Sequence, residues 1–258
     1  MSYKKTNQII MKTNLFQSTF SSKMLFACLL ALPLYFSACK KPDSGDPGGN
    51  SVDGPEAGII MAQVVDPLNG GLILQTEFAA HVALTNNNSI YCSVKKDSTV
   101  TFQSFGINQS YDYSLNWSRT MNCAGADMSY ENTFTGTGGY GGPNLPVSAS
   151  GTVTGSYTVK GLDPSLPELS IDQDYTYKGT QTYNNSPRAI ASTVTVHSQG
   201  IKVNKTNGQI IAGGIVSVSI TGNLSTGEKF NYDATLTFHG GGAATLKVQD
   251  GTELTIQW

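Results

Sequence analysis

Asp172 and Asp174 stand two residues apart in ELSIDQDYTYKG. On a strand both side chains point to one face, and Glu168 joins them if the strand runs unbroken. Two carboxylates held roughly 5–10 Å apart can hydrolyse a glycosidic bond, one as acid and the other as base or nucleophile. With loop carbonyls they can instead ligate Ca²⁺. A solvated strand face beside Tyr175 and Tyr177 explains the same residues without chemistry and is the simpler reading. A catalytic pair would need Glu131 or Asp233 brought opposite from another strand.

Other reactive residue types are sparse. His81, His197 and His239 lie far apart, with none of the short spacings that metal centres use. No GxSxG elbow presents a serine. The glycine-rich stretch TGTGGYGGPNLP at 135–146 lacks the Lys-Ser/Thr ending of a phosphate loop and opens no helix, so it reads as a loop between β segments. On these grounds the chain is expected to carry no catalytic residue, no metal and no cofactor.

The aromatic residues form a stronger pattern. In SYDYSLNWSR, Tyr111, Tyr113, Leu115 and Trp117 share one face of a strand, and Asp112, Ser114, Asn116 and Ser118 the other. Tyr175, Tyr177 and Tyr183 make a second series. Cross-strand aromatic pairs in a sheet core account for both. The alternative is an exposed platform of Tyr111, Tyr113, Trp117, Tyr175 and Tyr177 on which a glycan or other flat ligand stacks.

The elements that must position these residues are strands. Period-2 alternation runs through GTVTGSYTVKG, STVTVHS, IVSVSITG, ATLTFHG and ELTIQW. Turn signals fall between them at 205–209, 225–229, 239–242 and 249–253, with Asn207-Gly208 and Asp250-Gly251 as two-residue hairpin pairs. The one helix expected is LILQTEFAAHVAL, residues 72–84, where Leu74, Phe78 and Val82 recur at i, i+4 and i+8. The expectation is therefore an all-β domain of long antiparallel strands, a sandwich or a meander barrel, with at most one short helix.

Ahead of the strands, Lys4, Lys5, Lys12 and Lys23 precede an apolar run from Met24 to Phe36 that ends in YFSAC. The run is shorter than the roughly 20 residues a membrane span needs. Small residues Ser37 and Ala38 precede Cys39, and KKPDSGDPGGNSVDGPEA follows. This segment resembles a bacterial lipoprotein signal with its lipobox, although Phe36 stands where Leu is most usual. The resemblance implies that residues 1–38 are removed and that Cys39 is acylated. By composition 39–57 reads as a flexible tether and by alternation 58–258 as the β domain, in which YDY at 111–113 and YTY at 175–177 leave open an internally duplicated sheet unit or a chance likeness between strands. With its Ser/Thr/Asn-rich strands the whole chain resembles surface lipoproteins of Bacteroidota. That implies an outer-membrane location with the N-terminal lipid as the membrane contact.

Such a compartment is oxidising. Cys28 leaves with the signal and Cys39 is acylated, so Cys92 and Cys123 remain, and a disulfide is the simplest reading of that pair. All 18 Asp/Glu and 12 of the 16 Lys/Arg lie after residue 38, so the chain from Cys39 on has a formal charge of 12 − 18 = −6. Without clustered cations, nucleic acid is not an expected partner. The expected role is non-enzymatic, binding a glycan or an envelope protein or serving structurally. A glycan hydrolase using Asp/Glu and a carrier of lipid or another hydrophobic ligand are the rivals.

Overall fold

In the computed structural model of the protein the described residues are 51–85, 92–105, 110–123, 128–142, 147–183, 187–206 and 211–258. Two helices come first: α1, Gly54–Val65, and α2, Leu72–Thr85, joined by a single 3₁₀ turn at Pro67–Asn69. Ten strands follow: β1 Lys96–Phe105, β2 Ser110–Asn122, β3 Ser129–Gly141, β4 Val147–Lys160, β5 Glu168–Tyr183, β6 Ala189–Asn204, β7 Ile211–Leu224, β8 Lys229–Gly240, β9 Ala243–Val248 and β10 Glu253–Gln257. They form one antiparallel sheet in chain order, with β1 and β10 at its edges. The all-β expectation holds. The architecture is a meander, with two helices where at most one was expected.

The first helix was hidden by its own start signal. Asp53 caps α1 and its side chain accepts a hydrogen bond from the Glu56 backbone N–H at 2.9 Å. Pro55 sits in the first turn, where its missing N–H costs nothing, and Glu56 occupies the capping-box position. Asp-Gly-Pro-Glu reads as tether by composition and as a helix start by position. Residues 54–57, expected as part of the tether, are therefore helical. The second helix occupies the expected stretch. Leu72, Ile73, Ala79, Ala80, Val82 and Ala83 are all buried, so it is apolar most of the way round, as a helix enclosed by the fold must be.

Every long strand has one apolar face. Residues such as Val194, Val196, Ile201, Val203, Val216, Ile220 and Leu236 are fully buried, while Thr195, His197, Ser217 and Thr235 between them are exposed. Burying each such side chain contributes about 1.5–3 kcal/mol. The apolar faces all lie on one side of the sheet, against the helices. The α1 helix packs on β7 to β10, the 3₁₀ turn on β2 and β3, and α2 on β4 and β5.

The sheet curls around this helical segment. Phe78 of α2 meets Trp117 of β2 edge-on at 4.2 Å between ring centroids. Its chain neighbour Glu77 accepts a hydrogen bond at 2.9 Å from Trp258, one residue past β10. In a flat sheet β2 and β10 would lie about 38 Å apart. One helix about 10 Å wide can touch both only because the strands bend round it.

Glycines let bulky rings lie against the inner face. A Cβ on Gly179 would sit 2.4 Å from the Tyr177 ring, and one on Gly151 2.6 Å from the same ring. The stretch expected as a glycine-rich loop is largely strand for the same reason: Gly136, Gly138, Gly139 and Gly141 belong to β3. A Cβ on Gly136 would fall 2.0 Å from the Ser114 carbonyl oxygen. The turn signals behave as read where they are described. Gly227, Gly241 and Gly251 take positive φ between β7 and β8, β8 and β9, and β9 and β10. Asn207-Gly208 lies outside the described residues.

Candidate functional site

The carboxylates sit on the outer face of the sheet. Asp172 occupies a bulge between β5 and β6, where the register slips between Ile171 and Gln173. Its carboxylate accepts a 2.7 Å hydrogen bond from Lys160 and a 2.8 Å bond from the Gly200 backbone N–H. The Lys160 contact, first among the causes, holds it below the usual carboxylate range. Asp174 pairs instead with His197 at 2.7 Å. Glu131 shares the row of Asp172 with Thr158 between them, so two strand spacings, about 10 Å, part the backbones. Asp233 lies on β8, three strands away from β5. Asp174 and Glu131 are exposed and Asp172 is half-buried beneath its lysine.

The histidines stay apart. His81 lies on α2, and His239 contacts Thr245 at 2.9 Å. Among the described residues no group of three or more His, Cys, Asp or Glu is placed to hold a metal ion. Cys92 and Cys123 form a disulfide with a Cα–Cα distance of 5.6 Å, tying the segment ahead of β1 to the end of β2. Cys39 lies outside the described residues.

The aromatic series faces inward. Trp117 is 3% exposed, Tyr175 2%, Tyr177 8% and Tyr113 9%, and Tyr111 alone is half-buried. An open platform for a flat ligand is therefore corrected to an inner wall. Trp117, Phe134, Tyr157 and Tyr175 form a chain of tilted and edge-on contacts with centroids 5.8–6.0 Å apart. Burial pushes the Tyr113 and Tyr177 phenols up to about 12.

A row of polar residues crosses this wall. Directly paired positions run Arg119, Asn132, Tyr157, Gln173 and Ser198 on β2 to β6. Asn132 donates to the Tyr157 hydroxyl at 2.5 Å, and Thr76 of α2 reaches the Gln173 side-chain amide at 3.0 Å. Five neighbouring polar atoms have no hydrogen-bond partner: Trp117 Nε1, Arg119 Nε, Tyr130 OH, Asn132 Oδ1 and Gln173 Nε2. Each such atom costs about 1–3 kcal/mol when dry. Burial lifts Tyr130 to about 12, against the pull of the Arg119 charge, and raises Tyr157 further. Arg119 lies in the same alternation that places Tyr113, Leu115 and Trp117 on one face. It was legible as an inward cation, and reading the series as purely aromatic passed over it.

The sheet's inner face is only partly covered at its two edges, where Leu254 and Ile256 of β10 are half-buried and β1 is alike. Ser98, Val100 and Phe102 are only half-buried, although they pair with Trp117, Leu115 and Tyr113, which are buried. Phe102 stacks on Tyr113 at 5.2 Å. No protein-family model, no curated protein and no solved structure matches this chain.

Proposed function

We propose that the protein is a lipid-anchored, non-enzymatic binding protein of the cell envelope whose ligand is hydrophobic and sits against the inner face of the sheet. The observation that carries the reading is the uneven cover of that face. Helices pack on β4 and β5 and on β7 to β10 and most apolar side chains there are buried, while no inward apolar residue of β1 is, Val100 and Phe102 staying half-open. A wall of Trp and Tyr beside a half-covered apolar strip suits an apolar guest. A glycan platform is less favoured, because four of its five aromatic residues are buried. A hydrolase is also less favoured: Asp172 is bound to Lys160 and Asp174 to His197, both on the outward face.

The anchor follows from YFSAC at 35–39 and the lysine-rich segment ahead of it. Asp53, the cap of α1, stands only 53 − 39 = 14 positions after Cys39, so the acyl group would be linked to the segment that fills the sheet. At full extension that linker reaches roughly 50 Å from the membrane.

The test is to purify the full chain from its own membranes and extract it with organic solvent. A hydrophobic small molecule should be recovered at near one-to-one stoichiometry. The emptied protein should then take up neutral apolar probes such as methyl oleate. A protein that carries no extractable molecule and takes up no such probe sinks the reading.

A further inference from the structure

The β1–β2 edge has a charged end and an apolar end on one inner face. Lys96 is paired directly with Arg119, so two cationic side chains lie side by side there. Next along the face come Ser98 and Trp117, also a direct pair. Ser98 Oγ, Trp117 Nε1 and Arg119 Nε are all buried polar atoms without a hydrogen-bond partner. Arg119 takes part in none of the ion pairs among the described residues. Trp117 is 3% exposed, so its N–H is a fixed donor deep in the wall. The indole and guanidinium N–H groups donate whichever way the neighbouring amides are turned.

Beyond this polar end the same face turns apolar, through Val100 and then Phe102, both half-buried. From Lys96 to Phe102 the strand advances about 20 Å, the span of a long acyl chain.

We propose that the inner face of this edge binds a carboxylate-headed amphiphile of the fatty-acid class. Its head lies at Arg119, Trp117 and Ser98, and its tail runs along Val100 and Phe102. One carboxylate neutralises the charge that Arg119 brings into the wall and accepts from the waiting N–H and O–H donors. A dianionic phosphate would bring two charges to a site where the guanidinium is the innermost cation. The proposal rests on the reading of a hydrophobic-ligand binder and adds the chemistry of the ligand's head.

The test uses the full chain after removal of endogenous lipid, titrated by calorimetry with oleate, methyl oleate and hexanoate. Oleate should bind one-to-one, and hexanoate, a free carboxylate without the long tail, far more weakly. Arg119→Gln should weaken oleate at least about tenfold and leave methyl oleate unchanged. Arg119→Lys should restore part of the loss, and a circular dichroism spectrum like that of the parent protein should show that the variants fold. If oleate binds Arg119→Gln as tightly as the parent protein, the head site is wrong while the hydrophobic-binder reading stands. If hexanoate binds as well as oleate, the site takes small carboxylates and the amphiphile is wrong. If neither oleate nor methyl oleate binds the parent protein, both readings fall together.

Discussion

Glu77 on α2 accepts the indole N–H of Trp258 across 181 positions of chain, at 2.9 Å. The carboxylate is more than half buried, and burial raises its pKa above the ordinary value, partly offset by the Trp258 hydrogen bond. A group whose folded pKa is raised holds its proton more tightly in the folded state. Its contribution to stability is full below the unfolded value, near 4.5, and is lost as pH rises through the folded value. Glu77→Gln keeps an oxygen for Trp258 and removes the buried charge. It should raise stability at pH 7 relative to the parent protein and flatten the decline that the parent shows from pH 4 upward. Urea melts across pH 4–8 measure this. A variant with the parent's pH slope would show that Glu77 is not the source. Glu77→Ala should instead cost about 1–3 kcal/mol, because it strands the indole N–H.

The start of α1 is clamped by a second long-range contact. Arg188, between β5 and β6, forms a two-pronged ion pair with Glu56 at 2.5 and 2.7 Å and donates to the Ser51 carbonyl at 2.7 Å. The Tyr183 hydroxyl also donates to Glu56. The arginine side chain is 8% exposed and the glutamate 18%. Removing one partner of such a buried pair leaves the other charge uncompensated. Arg188→Ala should destabilise the protein by about 3–5 kcal/mol and speed hydrogen exchange in α1 before the sheet. The double variant with Glu56→Ala should lose less than the two single losses combined. Strict additivity would mean that the pair is not coupled.

The disulfide closes a loop with a sequence separation of 31 between Cys92 and Cys123. On the chain-entropy account, replacing both cysteines with alanine should cost about 3–4 kcal/mol. Guanidinium melts of the parent protein with and without reductant should show the same difference. Equal midpoints would show that the bridge adds no stability.

Acylation at Cys39 predicts that Cys39→Ser is either left unprocessed or recovered in the soluble fraction, while the parent protein partitions with the membrane. Fractionation followed by intact mass measurement distinguishes these outcomes. A processed variant that still fractionates with membranes would remove the lipid anchor from the reading.

Much of the fold was legible because its elements are long and regular. The alternation in GTVTGSYTVKG, STVTVHS and IVSVSITG is the alternation of buried and exposed residues in β4, β6 and β7. Where composition and position disagreed, composition misled. Asp53-Gly54-Pro55-Glu56 has the composition of a Gly/Pro tether, although its order is that of a helix start. The glycine content of 136–141 suggests a loop, although these glycines make room for neighbouring side chains and backbone within a strand. Which face of the Tyr/Trp series meets water depends on helices that pack against it from far away in the chain, and no local pattern carries that. The inner row from Arg119 to Ser198 is assembled by register across five strands, so no single strand displays it.

The order of elements also bears on how the chain reaches its native state. Each strand pairs with its predecessor, so the sheet can zip up locally as it is delivered, with little loop entropy to overcome. The α1 helix, made first, has its packing partners on β7 to β10, residues 211–257, made last. During synthesis the growing sheet therefore presents a widening apolar surface, while the helix meant to cover its far half has nowhere to settle. Half-delivered molecules would be the aggregation-prone species, and a holding chaperone would be needed most just before the final hairpin emerges.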